Sequence, residues 1–208
     1  MKQFIYLLFA LIFFTACKPT SSIVTSKKEA IDKGIYSPPD DKKIVVKKQR
    51  KLVKVKKAKK KKELIISEPE EKIKNAEDLN FIEELINTAS ENIGVRYRMG
   101  GTTKSGFDCS GLMCVIFDAH DINLPRTSYK QSKVGFIIDQ EKEEVKKGDL
   151  VFFKTGRRKK INHVGMVVDV TEDDVKFIHS SSSRGVMISS LKETYFQNAF
   201  AQLNRILN

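Results

Sequence analysis

The sequence predicts one α+β domain over residues 75–208, with N-terminal helices packed on a mostly antiparallel β-sheet. Apolar residues recur at helical spacing from Leu79 to Ile93, and a second apolar run follows Cys109. From Asp149 onward the pattern changes to short β-type runs separated by Gly156, Asp173, Asp174 and Gly185. Helices first and strands second is the order of an α+β domain, not of alternating α/β units. The segment's 134 residues are enough to bury a core.

Each element follows from its own pattern. Leu79, Ile82, Leu85, Ile86, Ala89 and Ile93 form one helical face, and Gly94 is a natural stop. A loop, Val95–Phe107, leads to a second helix from Cys109 to about His120. That helix is apolar almost all round, so it should be central and buried. Leu124-Pro125-Arg126 interrupts the pattern before a short helix around Thr127–Lys133. The expected strands are Asp149–Lys154, His163–Val170, Val175–His179, Val186–Ser189 and Phe200–Ile206.

The N-terminal third has a different character. Residues 1–16 carry Lys2 and the eleven-residue apolar run Phe4–Phe14. A membrane-spanning helix needs about 20 residues, so the run matches the core of a secretory signal peptide. Phe14-Thr15-Ala16-Cys17 resembles the lipobox of bacterial lipoproteins, with Phe14 where Leu, Val or Ile is commoner. The resemblance implies cleavage before Cys17, lipidation of its thiol, and a protein anchored in the cell envelope. Lys18 after the cysteine points, by analogy with enteric lipoproteins, to an outer membrane facing the periplasm where the host has one.

Residues 17–74 are expected to be a lipidated cysteine followed by a disordered, Lys-rich tether, because a composition so poor in aromatics cannot offset its chain entropy. Between Lys42 and Lys62 stand thirteen Lys or Arg and no acid, which accounts for the whole net charge of +12 and leaves the rest close to neutral. Three uses fit this run: an extended solvated spacer, contact with anionic lipid headgroups, or contact with acidic wall polymers. Export argues against nucleic acid as a partner.

The pentad Phe107-Asp108-Cys109-Ser110-Gly111 places a cysteine at the start of the central helix. Unpaired N–H groups and the helix dipole favour a thiolate there, so the Cys109 pKa is expected below its ordinary value. Cys114, five residues on, faces another direction and reads as a small core hydrophobe. A nucleophilic thiol needs an imidazole base, and the chain has three histidines. His120 lies about 16 Å along the same helix from Cys109, out of reach. His163 begins an apolar strand and is the expected base. His179 ends the next strand and is the expected orienting partner. Two histidines and a cysteine also suit zinc, but no C-x-x-C or H-E-x-x-H spacing accompanies them; neither metal nor cofactor is expected.

Six blocks in order, YRMGG (Tyr97–Gly101), FDCSGL (Phe107–Leu112), LPRTSYKQ (Leu124–Gln131), KGDLVFF (Lys147–Phe153), HVGMVV (His163–Val168) and FIHSSSSRGV (Phe177–Val186), resemble the NlpC family of bacterial cell-wall cysteine peptidases. The resemblance implies a papain-like core and a Cys109–His163–His179 triad, with the Tyr97 hydroxyl beside the Cys109 N–H on the oxyanion side. It places Asp108, Ser110 and Arg126 at positions that either touch substrate or brace the site. Met99 stands where many members have an aromatic residue. The implied substrate is an amide bond in peptidoglycan stem peptides or cross-links. A non-catalytic wall-binding lipoprotein and an amidase or acyltransferase on the same core are the rival readings.

Overall fold

A computed structural model describes residues 23–38 and 69–207, with the side chains of the first long helix described from residue 78. Five helices are described: α1 (Lys27–Asp32), α2 (Pro69–Ser90), α3 (Cys109–Asp118), α4 (Ser128–Gln131) and α5 (Thr194–Ala199). A short antiparallel hairpin, β1 (Thr102–Thr103) and β2 (Gly106–Phe107), precedes α3. The main sheet contains β3 (Phe136–Ile137), β4 (Leu150–Phe153), β5 (His163–Val170), β6 (Val175–Ser181), β7 (Gly185–Ser190) and β8 (Phe200–Arg205). Its strand order is β3-β8-β4-β5-β6-β7, with every neighbouring pair antiparallel. The α+β expectation holds.

Strand alternation divides the apolar side chains between two cores. Leu150, Phe152, Val164, Met166 and Ile178 join Leu85 and Ile86 of α2 and Leu112, Met113, Ile116 and Phe117 of α3. Val151, Phe153, Val167 and Phe177 join Phe196, Ala199 and Leu203 on the other face. The run after Cys109 is therefore central because both the sheet and α2 cover it. Leu79 departs from its expected place on the buried face of α2 and is 65% exposed. His120 is held away from the thiol: its Nε2 lies 3.0 Å from Thr88 Oγ1, and its ring meets Phe81 edge-on at 5.4 Å.

One boundary needs correction. Residues 23–38, expected within a disordered tether, pack on the domain. Val24 exchanges two backbone hydrogen bonds with Ile188 of β7, at 2.9 and 2.8 Å, and so covers the outer edge of the sheet. The Ser26 hydroxyl caps α1 by accepting from the Glu29 N–H. Val24, Ala30, Ile35 and Tyr36 are buried in the core shared with α2 and α3. The composition averaged over 17–74 hid four apolar residues concentrated in thirteen positions. The first long helix also starts earlier than Asn75, at Pro69. The expected signal segment 1–16, the expected lipidation site Cys17 and the Lys42–Lys62 run lie outside the described residues. Among those described, no helix is long and apolar enough to cross a membrane.

Because Val24 is fully buried, Val24→Asp should place a carboxylate in an apolar site and cost several kcal/mol. A urea titration checks this; a tether position would change stability by no more than about 0.5 kcal/mol.

Candidate active site

Asp108 builds the site. Its extended backbone (φ −89°, ψ 173°) makes it the N-cap of α3, where its Oδ1 accepts the Gly111 N–H at 2.6 Å. Oδ2 accepts the Gly100 N–H at 2.8 Å, tying the preceding loop to the helix. The Arg126 guanidinium grips both oxygens, at 2.9 and 2.6 Å, and donates to the Ser110 hydroxyl at 3.0 Å. Asp108, Ser110 and Arg126 thus hold one another, and none of the three lines the cavity. Their place in the structure is that of anchors.

Tyr97 is fixed by the same scaffold. It pairs with Phe107 of β2, and the Arg98 N–H donates to the Phe107 carbonyl at 3.0 Å. The Ser180 hydroxyl donates to that carbonyl from β6 at 2.8 Å. Gly111 lets the Tyr97–Gly101 loop approach α3, since a Cβ there would overlap the Gly101 carbonyl oxygen. Met99 is 86% exposed and lies outside the cavity lining.

Tyr97, Cys109, His163 and His179 line one cavity of about 250 Å³, together with Thr155, Asn162, Ser181, Ser182, Tyr195 and Phe196. A larger cavity of about 460 Å³ between α2 and the Lys146–Asp149 turn contains no nucleophile and no histidine. Cys109 Sγ lies 3.9 Å from the Asn162 carbonyl oxygen, immediately before His163. His163 Nε2 and His179 Nδ1 are 2.9 Å apart, and His179 Nε2 is 3.1 Å from Ser189 Oγ. Phe153, Phe177 and Phe196 pack against these imidazoles with ring centres 5.1–6.0 Å away. Among the described residues no group of three acidic, Cys or His side chains could hold a metal ion.

The electrostatics correct one expectation. Burial pushes the Cys109 thiol up, and the nearby Asp108 carboxylate adds to that. Backbone N–H groups of Val164, Ser110 and Cys109 pull the other way without reversing it. The helix N-terminus is present, but Cys109 is only 7% exposed and its neighbouring charge is negative. Burial also lowers His163 to about 4 and His179 well below its ordinary value. The resting pair is therefore a neutral thiol and a neutral imidazole. Burial alone would raise Asp108, but Arg126 and the Gly111 and Gly100 N–H groups hold its carboxyl below the ordinary range. Burial raises Tyr97, with Cys109 and Asp108 contributing, so its hydroxyl remains a donor.

Sequence reasoning missed Ser189, Thr155 and Asn162. Ser189 was legible in part: β6 and β7 pair with Phe177 opposite Ser189, which puts Ser189 diagonal to His179 on the same face. Asn162 had no comparable signal, because its side chain closes a loop by accepting from the Thr155 N–H at 2.8 Å.

A buried thiol at a helix N-terminus, two bonded imidazoles and a tyrosine hydroxyl, set on an antiparallel sheet, define the class of thiol-dependent hydrolases. A model of the NlpC/P60 family matches residues 94–205, and the chain belongs to that family. The probable endopeptidase NlpC of Escherichia coli is 46% identical over 114 residues, covering 54% of this chain and 70% of that protein. A probable endopeptidase NlpC homolog of Haemophilus influenzae is 44% identical over 124 residues. The match covers 59% of this chain and 62% of that relative, less than two thirds of its length. A crystal structure of an NlpC/P60 family protein from Bacillus cereus matches with a TM-score of 0.54 at 35% identity, covering 61% of this chain and 40% of that one.

Two outcomes follow from this geometry. Gly→Ala inside a helix ordinarily stabilises by about 0.5–1 kcal/mol. Gly111→Ala should instead destabilise by about 2 kcal/mol or more in a urea titration, because backbone oxygen occupies the methyl position. The second concerns pH. His163 binds protons near pH 4 when folded and near 6.5 when unfolded. The unfolded state thus holds more protons between those values, and stability falls as pH drops from 6.5 to 4. The loss should be roughly 3 kcal/mol from His163, with His179 adding in the same direction. Urea titrations at pH 7 and 4.5 measure it, and His163→Gln should flatten the slope.

Proposed function

We propose that this protein is a lipid-anchored cysteine endopeptidase that hydrolyses amide bonds in peptidoglycan stem peptides or cross-links. The observation that carries the reading is the cavity shared by Cys109, Tyr97 and the hydrogen-bonded His163–His179 pair. Relatives whose names include probable endopeptidase NlpC and murein DD-endopeptidase MepS of Escherichia coli, 46% and 37% identical, support the substrate class. The non-catalytic alternative has no feature in its favour, since every reacting group is present.

The chemistry runs from neutral reactants. His163 Nε2 is committed to His179, which leaves Nδ1 to take the thiol proton as Cys109 Sγ attacks the carbonyl carbon. For Nδ1 to be free of a proton, Nε2 must carry one and donate it to His179 Nδ1. His179 then carries its proton on Nε2, directed at Ser189 Oγ. Tyr97 and the Cys109 N–H hold the developing oxyanion. His163 returns its proton to the departing amine as the C–N bond breaks. It next deprotonates a water that attacks the thioester, which releases the acid and restores the thiol. The reaction needs no cofactor.

Anchoring is proposed through lipid on Cys17, in an outer membrane facing the periplasm where the host has one. Cys17→Ala should move the protein from the membrane fraction to the soluble one. For the chemistry, full-length protein incubated with intact sacculi should release muropeptides identifiable by mass. Cys109→Ala should release none, and continued release would overturn the mechanism. Tyr97→Phe should lower kcat by about 10²–10³, the usual cost of one oxyanion donor.

A further inference from the structure

The loop between β4 and β5 carries four consecutive cations, Arg157, Arg158, Lys159 and Lys160, all exposed. None of the four side chains has a hydrogen-bond or ion-pair partner among the described residues; the Lys159 backbone N–H donates to the Gly156 carbonyl at 3.3 Å. The base of the loop is fixed. Asn162 Oδ1 accepts from the Thr155 N–H and hydroxyl at 2.8 and 3.2 Å, and Ile161 is buried in the helix-side core. Thr155 and Asn162, the two residues at that base, both line the cavity. Each cation therefore stands within about three residues, roughly 10 Å of chain, of a cavity wall.

A second wall repeats this bias: Arg184, exposed, follows Ser181 and Ser182 of the lining. No acid lines the cavity. The two nearest carboxylates in sequence are already engaged: Asp108 is gripped by Arg126, and Glu193 accepts the Ser190 N–H. Outside Lys42–Lys62 the chain is close to neutral, so four cations on a loop whose two base residues line the cavity are a local concentration of charge. Cations arranged that way raise the local concentration of anionic substrate and speed its approach.

We propose that Arg157–Lys160 forms a cationic rim that selects substrates by the free carboxylates of the stem peptide. This rests on the peptidase reading above and deepens it. The rim acts on binding: it meets side carboxylates of the peptide while the scissile amide reaches Cys109. Exposed pairs contribute little singly and are screened by salt, so the four together should matter at low ionic strength and fade as salt rises.

The test uses full-length protein in detergent and the variant R157Q/R158Q/K159Q/K160Q. Two muropeptides are compared that differ only in having free or amidated stem carboxylates. For the free-carboxylate peptide the variant should raise KM about tenfold with kcat within twofold of wild type. For the amidated peptide KM should stay within twofold, and the wild-type preference between the two should shrink from 50 to 500 mM NaCl. Equal losses on both peptides, or no change in KM, would overturn the rim. Calorimetric binding of the same peptides to Cys109→Ala protein, with and without the four substitutions, reads the rim without cleavage. Should wild type cleave neither peptide while binding keeps its tenfold charge dependence, the peptidase reading fails and the rim stands; binding indifferent to the substitutions sinks the rim whatever is cleaved.

Discussion

The arrangement of the site depends on one carboxylate. Asp108 caps α3, holds the Gly100 N–H of the tyrosine loop, and takes both arms of Arg126. Cys109 is the next residue, so its position on the first turn is inherited from that cap. Tyr97 is held through the same loop, and Ser110 through the same guanidinium. The clamp is half-buried and charge-assisted at every contact, which makes its bonds stronger than those between neutral groups. Removing the carboxylate would free a helix end, a loop and the Arg126 guanidinium together.

The same charge adds to the reason the thiol is not preionised. Burial opposes the thiolate first, and the cap carboxylate beside Cys109 opposes a second negative charge. Burial among the aromatic rings around His163 and His179 opposes positive charge there. Both reactants are therefore kept neutral until they exchange a proton with each other, when opposite charges form side by side in a dry site and stabilise one another. In the proposed reaction, tautomer control matters more than resting ionisation, and the His179–Ser189 bond becomes relevant at that point.

Much of this was legible in the sequence because local pattern and tertiary role agreed. The run from Leu112 to Phe117 is apolar on most sides and lies between α2 and the sheet; β5 begins at His163 as its alternation predicted. Elimination among three histidines found the pair that bonds. The failures share a cause, which is that packing decided them. The β1–β2 hairpin and β3 have two residues per strand, too few for any period. Helix α5 has no side-chain cap to announce it and is held by Phe196 in the second core. The lowered thiol pKa was inferred from the helix end alone, whereas burial and Asp108 are tertiary facts.

The cavity lies where the two cores meet at one end of the sheet. Cys109 belongs to the helix-side core, while the histidines rest on Phe153, Phe177 and Phe196 of the opposite core. Residues 23–38 complete the helix-side core, which alters the proposed anchoring. With Val24 bonded to Ile188, only six residues lie between it and Cys17, a reach of at most about 25 Å over seven chain steps. A chain free from Cys17 to residue 74 would have reached nearly 200 Å when extended. The proposed lipid would thus hold the domain close to the membrane, and Lys42–Lys62 falls in sequence between the two described stretches, 23–38 and 69–207, not between the lipid and the first of them.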